Sequence, residues 1–198
     1  MSDKQVELFY DVGSTNSYFA LHLLKRLADK YDATVVYQPF NLGYVFRNNN
    51  YVLMDEPKAK LSNRKRDLMR WAERYDLPFS IPQRFPIKTS SALRGALAAR
   101  RFDKEEEYLF GVFGRYWEGV DDSIDQLDTL VSVAIDVGID GDEFTGTIDS
   151  AEVREELIGC TKEALERGVF GAPSIVIGGE LYWGKDRMEF VEDELKRL

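Results

Sequence analysis

Cysteine and histidine are almost missing from this chain of 198 residues, which carries one of each. A lone cysteine excludes an intrachain disulfide and any Cys-x-x-Cys redox pair. One histidine with one cysteine cannot build a zinc site of the usual His/Cys type, so no metal is expected. Positive charge is also short. Against 35 Asp and Glu stand 26 Lys and Arg, for a net charge of -9 and a pI near 4.8. Nucleic-acid binding, which needs clustered cations to release phosphate counterions, is not expected. No apolar run approaches the ~20 residues that cross a bilayer. The opening MSDKQVELFYDV has no basic cap followed by a long apolar stretch, so no signal peptide is expected and the cytoplasm is the expected compartment.

Apolar residues make up 44% and aromatics 13%, enough for a sizeable core and against disorder. The length fits one domain, or one domain with a large insertion. Val6 to Val12 is predicted as a strand, rich in aromatic and branched residues. Gly13-Ser14-Thr15-Asn16-Ser17 breaks it. Apolar residues at Phe19, Ala20, Leu23, Leu24 and Leu27 then recur at helical spacing from Tyr18 to Tyr31. Ala33 to Gln38 is a second strand, which predicts a parallel βαβ unit with a right-handed crossover.

The middle of the chain predicts helices at Met69–Tyr75, Ser91–Phe102, Glu105–Trp117, Gln126–Val137 and Ala151–Arg167. Ser123-Ile124-Asp125-Gln126 has the spacing of a capping box ahead of one of them. Gly168 stands where a helix C-terminus favours positive φ. Residues 44–66 are polar, hold Asn48-Asn49-Asn50 and show no clean period, so they are predicted as a mobile or ligand-facing loop. The end returns to strands: Ser174–Ile177, a Gly178-Gly179 turn, and Glu180–Trp183. Arg187–Leu198 closes as an amphipathic helix with Asp186 as its expected cap. The order βαβ, helices, ββα is that of an α/β thioredoxin-like fold with an all-helical insertion. It divides the chain into a thioredoxin-like part, 1–43 with 168–198, and a helical part, 44–167.

Two places are arranged for chemistry. At the strand-to-helix turn, Ser14 and Ser17 stand three apart, where a thioredoxin fold normally carries its two cysteines. Unpaired N–H groups and the positive end of the helix dipole stabilise an anion such as a thiolate there. A hydroxyl cannot exchange disulfides, but it can donate to the sulfur of another molecule. It can equally be a plain N-cap. In Gly171-Ala172-Pro173-Ser174, a cis Pro173 would leave the Ala172 backbone free to pair with an extended peptide. A trans proline opening an edge strand is the commoner alternative. His22 lies too far along its helix to pair with Ser14, Cys160 fits a packing position, and Asp121 and Asp122 read as caps. Arg64-Lys65-Arg66 is a short solvated run, able at most to attract an anionic substrate.

Taken in order, FYDVGSTNSYFA, PFNLGYVF, RDLMRWAERYDLPF, FPIKTSSALRGAL and RGVFGAPSIVIGGELYWGKDR resemble the family of kappa-class glutathione transferases and 2-hydroxychromene-2-carboxylate isomerases, a branch of the DsbA-like thioredoxin-fold proteins. The resemblance covers nearly the whole chain and implies glutathione, or a related γ-glutamyl thiol, as cofactor. It implies that Ser14 meets the sulfur and that Ala172 and Pro173 pair with the cysteinyl unit. It implies that Lys185 and Asp186 hold the γ-glutamyl group, that Lys60 reaches the glycyl carboxylate, and that Asn50 matches a family asparagine on the loop before it, with Asn48 or Asn49 as alternatives. It further implies a small aromatic substrate and a homodimer. Three residues depart from the family pattern: Thr15 replaces a proline, Gly13 replaces a larger apolar residue, and Lys185 stands where the kappa enzymes tend to have serine and the isomerases asparagine. Tyr44, Phe46, Phe85, Trp117 and Trp183 are candidate walls for the acceptor, or else core. The isomerase is the favoured reaction and the transferase the alternative. A thiol-free module that holds a peptide at the Pro173 edge is a reading of another class.

Overall fold

The computed structural model describes residues 4–52 and 55–198. Met1 to Asp3, Leu53 and Met54 lie outside the described residues, the last two within the stretch 44–66. The chain opens with β1 (Gln5–Tyr10), α1 (Thr15–Tyr31) and β2 (Thr34–Pro39), the expected parallel βαβ unit, with Leu8 opposite Tyr37. β3 (Ser174–Ile177) adds to the other side of β1 in antiparallel fashion, with Leu8 opposite Ile175. β4 (Glu180–Trp183) completes the sheet in the order β2-β1-β3-β4. Gly178 and Gly179 join the last two strands at φ 60° and 84°. Positive φ at both central residues is what a tight hairpin turn of matching twist requires.

Alternation along β1 assigns its two faces. Leu8 and Tyr10 enter the large core with Phe19 and Leu23 of α1 and with Val191 and Leu195 of α9 (Met188–Arg197). Phe9 points the other way, into a smaller cluster with Phe40, Val169 and Ala164 of α8 (Ala151–Glu166). α8 ends as Gly168 predicts: this glycine adopts φ 81°, and the Val169 N–H returns to the Ala164 carbonyl.

Between β2 and β3 run α2 (Leu42–Asn48), α3 (Lys58–Tyr75), α4 (Ser90–Arg100), α5 (Glu105–Trp117), α6 (Leu127–Asp136), α7 (Gly141–Ile148) and α8. α4 is their centre, with Leu93, Ala96, Leu97, Ala98 and Ala99 buried. It approaches α5 so closely at Gly95 that a Cβ would stand 2.2 Å from the Tyr108 hydroxyl. None of the helices is long and apolar enough to cross a membrane, among the described residues.

Three sequence expectations are corrected. The stretch 44–66 is not a loop throughout: α2 occupies its start, and α3 begins at Lys58 rather than at Met69. α3 buries only Leu68 and Ala72, so its first turns carry no apolar period to read. Ser123 does not cap a helix. α6 starts at Leu127 after Gln126, and the Ser123 hydroxyl instead pairs with Asp121 and Thr129. Asp186 does not cap α9, whose N-cap is Arg187 without a side-chain bond.

Asp11, at the end of β1, ties the sheet to the helices. It is 2% exposed. Its Oδ1 accepts the Gly13 N–H at 2.8 Å and its Oδ2 the Leu42 N–H at 2.9 Å. Burial raises its pKa against the pull of these bonds. Next to it, the Trp117 indole donates to the Val12 carbonyl at 2.8 Å. Asp11→Asn would set an amide NH2 against one of the two N–H groups and cost about 1–3 kcal/mol, read as a lower urea midpoint at unchanged m; an unmoved midpoint would show that Asp11 holds nothing. His22 packs edge-on between Tyr18 and Phe110. Burial, with the nearby Arg26, lowers its pKa to about 4. The unfolded chain then binds a proton that the folded one refuses, so His22 subtracts stability as pH falls from about 6.5 to about 4. His22→Phe keeps the ring packing and should flatten that part of the stability–pH curve relative to wild type.

Candidate functional site

The first turn of α1 and the turn before β3 meet end to end. Ser14 is 8% exposed and is the N-cap of α1, accepting the Ser17 N–H at 3.2 Å. The same hydroxyl donates to the Ala172 carbonyl at 3.0 Å. Ser14 is therefore a cap and also a link to the facing turn. The Ala172–Pro173 bond is cis, so the trans alternative does not hold; Phe85–Pro86, which the sequence reading left unremarked, is cis as well. The Gly184 N–H donates to the Pro173 carbonyl at 3.0 Å, which brings the turn Lys185–Arg187 to the same place. Ser14, Ala172, Pro173, Lys185 and Asp186 are thus joined along a continuous path of backbone and hydrogen bonds.

Sequence departures from the family pattern have a local reason at Gly13. A Cβ there would stand 2.9 Å from Thr89 Cγ2, so a methyl group of the residue ahead of α4 fills the space a larger residue would take. Gly184 is confined differently. It adopts φ 109°, and a Cβ would lie 2.5 Å from the Asp186 carboxylate. Only glycine combines that backbone with a carboxylate folded back over it. Asp186 itself is half exposed and pairs with Arg187 at 2.6 Å.

Lys185 behaves unlike a surface lysine. Its side chain is buried, and Nζ donates to Asn16 Oδ1 at 3.0 Å in the first turn of α1. Nζ also lies 4.7 Å from the Trp71 ring centroid and 5.9 Å from that of Phe19. Burial pulls its pKa below the ordinary lysine value. Ser17, the second residue at a redox position, is fully buried and its hydroxyl has no partner among the described residues.

Asn50 and Lys60 are not joined to this cluster by any hydrogen bond or ion pair among the described residues. Asn50 follows α2 at φ 51°, exposed, as are Asn48 and Asn49. Lys60 pairs with Glu56 at 3.0 Å, a carboxylate shared with Tyr51 and Arg64. The aromatic candidates divide. Trp117 is fully buried against Phe79, Phe85 and Tyr116 and is core, not a wall. Phe85 and Phe46 are half-buried. Tyr44 and Trp183 are exposed, and Trp183 packs on Phe170 at 5.1 Å beside Gly171. Phe170, Trp71, Asn16 and Asp11 escaped the sequence reading. Only Asp11 carried a signal, a charge inside the apolar run LFYDV.

A family model for the DSBA-like thioredoxin domain matches residues 5–196. The chain is 30% identical over 194 residues to a 2-hydroxychromene-2-carboxylate isomerase of Sphingobium xenophagum, covering 97% of this chain and 98% of that protein. It is 28% identical to glutathione S-transferase kappa 2 of Caenorhabditis elegans, covering 97% and 92%. The solved structure of a 2-hydroxychromene-2-carboxylate isomerase superposes with a TM-score of 0.86 at 29% identity, over 98% of this chain and 95% of that one. A sheet of order β2-β1-β3-β4, a helix start facing a cis-proline turn and helices between the two halves agree with that match: the chain belongs to the DSBA-like thioredoxin domain family.

Proposed function

We propose that this chain is a glutathione-dependent isomerase of an aromatic 2-oxoacid or chromene carboxylate, with glutathione or a related γ-glutamyl thiol as its cofactor. One observation carries the reading. The Ser14 hydroxyl faces the Ala172 carbonyl at 3.0 Å, where a thiolate would sit in this fold, and neither redox position holds a cysteine. A serine hydroxyl does not ionise near neutral pH, so the sulfur has to come from a diffusible molecule.

The residues present fit such a thiol. The Ala172 carbonyl would accept the N–H of an extended cysteinyl unit, as a strand adds to an edge. The Ser14 proton then turns from that carbonyl to the sulfur. A hydrogen bond to an anion is roughly twice as strong as one to a neutral carbonyl, so the charge that forms is what draws the proton over. The γ-glutamyl ammonium suits the Asp186 carboxylate, which is half exposed and within reach beside Gly184. Lys60 is drawn from Glu56 to the glycyl carboxylate at little cost, since an exposed i,i+4 pair is weak. Asn50 serves from the segment before it.

The reaction then balances without a redox step. A thiol held by Ser14, Ala172 and Asp186 would supply a nucleophile able to add to a conjugated carbon, free the carbon–carbon bond to rotate, and be expelled unchanged as the double bond re-forms. The kappa-class relative supports a second reading, in which the thiolate attacks an electrophile and stays bonded to it. Both readings need the same sulfur site. Trp183 with Phe170, and Tyr44, offer aromatic faces to the acceptor. We further expect a homodimer.

Capping and sulfur binding separate by substitution. Ser14→Ala should lower turnover of 2-hydroxychromene-2-carboxylate with glutathione by ~10²-fold or more. Losing the cap should also cost about 1 kcal/mol. Ser14→Asp restores the cap and the stability, yet places a negative charge against the sulfur, so turnover should fall at least as far. Wild-type turnover in Ser14→Ala, or turnover without any added thiol, would remove Ser14 from the chemistry.

A further inference from the structure

Lys185 is the one lysine or arginine that is buried among the described residues, at 8% exposure. Buried ammonium groups are costly, and among the described residues no carboxylate lies within ion-pair distance of this one; its hydrogen bond goes to a neutral amide oxygen on Asn16. Asn16 belongs to the first turn of α1, the turn that Ser14 caps. The ammonium is thus held beside the helix start, where the helix dipole is already positive.

The other charges near it are better screened. From α3, Asp67 faces it, but Asp67 is about half exposed and spends one oxygen on the Trp71 indole at 3.1 Å. From its own turn, Asp186 faces it, half exposed and paired with Arg187. From α1 come Asn16 and the ring of Phe19, and from α3 the ring of Trp71, all uncharged. Solvent damps the two exposed carboxylates more than the buried cation. At the start of α1 the ammonium stands against one buried carboxylate, Asp11, whose oxygens are taken up by the Gly13 and Leu42 N–H groups, so the Lys185 charge adds a positive contribution there.

We propose that Lys185 is a positioning residue for the sulfur: its ammonium, fixed on Asn16, adds positive charge at the start of α1 and shifts the bound thiol toward the thiolate. It acts through space, without touching the sulfur, and so differs from the γ-glutamyl contact that family resemblance implies for this position. The proposal rests on the thiol reading above.

The test uses the full chain with two ligands, glutathione and S-methylglutathione, whose sulfur cannot ionise. The ultraviolet thiolate band of bound glutathione is followed against pH. Calorimetry gives the affinity for S-methylglutathione. Lys185→Met should raise the pKa of bound glutathione by about one unit, roughly tenfold less thiolate at a fixed pH below it. Its affinity for S-methylglutathione should stay within a few-fold of wild type, which also shows that the site is folded. Lys185→Arg should restore the wild-type titration. An unshifted titration in Lys185→Met overturns the proposal, as does an equal loss of affinity for both ligands, because a lysine that only shapes the site would do that. Wild-type protein that binds S-methylglutathione but shows no thiolate band also overturns it. Wild-type protein that binds neither ligand overturns the thiol reading itself, and this proposal with it.

Discussion

The Ser14 hydroxyl, shared between the Ser17 N–H and the Ala172 carbonyl, is the contact on which the site depends. It joins segments 158 residues apart, and each side is fixed from behind. Asp11 and the Trp117 indole clamp the backbone just before Ser14. The Gly184 N–H holds the Pro173 carbonyl, and the Trp183 ring lies over Gly171. The capped start of α1 and the turn before β3 therefore meet at a defined separation, with one rotatable proton between them. A rigid frame around a movable hydrogen is the arrangement that lets a donor follow charge as it appears.

A chain of net charge -9 is an unpromising host for an anionic thiol when the total alone is considered. Distance resolves the conflict. Screening acts over about 8 Å at physiological salt, so carboxylates spread over the surface matter little to an anion at the start of α1. What matters are the buried charges beside that helix end: the Lys185 ammonium on Asn16, and the Asp11 carboxylate held by the Gly13 and Leu42 N–H groups. Under the proposed thiol reading, the surface charge and the field at the start of α1 act separately. The two are independent because they lie on different length scales.

The fold was largely legible because its signals are local. Branched and aromatic residues in β1, helical spacing in α1, and paired glycines before β4 each act within a few residues of themselves. Gly168 belongs to the same class of signal, from chain conformation, whereas the cis bond at Pro173 was not legible in the residues, where trans is the commoner form. What escaped is what the partner decides. α3 runs polar from Lys58 because it lies mostly in solvent, so no apolar stripe announces it. Ser123 had the right spacing for a capping box, but Asp121 and Thr129 compete for its hydroxyl. Trp117 and Trp183 look alike in sequence, yet one donates inward to Val12 and the other stays exposed. The destination of Lys185 could not be read at all. A lysine before an aspartate at a helix start is ordinarily a solvated charge, and only the approach of α1 and α3 encloses it.

Thiol tuning also bears on which reaction such a site favours. In an addition–elimination cycle the same sulfur attacks and then departs. A lower thiol pKa increases the thiolate fraction and makes the sulfur a better leaving group, while nucleophilicity falls only with a slope of about 0.4–0.5. A transferase needs the attack alone, so further lowering of the pKa soon stops helping it. Under the proposed reading, three stabilisers converge on one sulfur: a hydroxyl donor at Ser14, the start of α1, and the buried charge of Lys185. That excess is of little use to a reaction that keeps the carbon–sulfur bond. It suits one that has to break the bond again, and on physical grounds this places the isomerase ahead of the transferase.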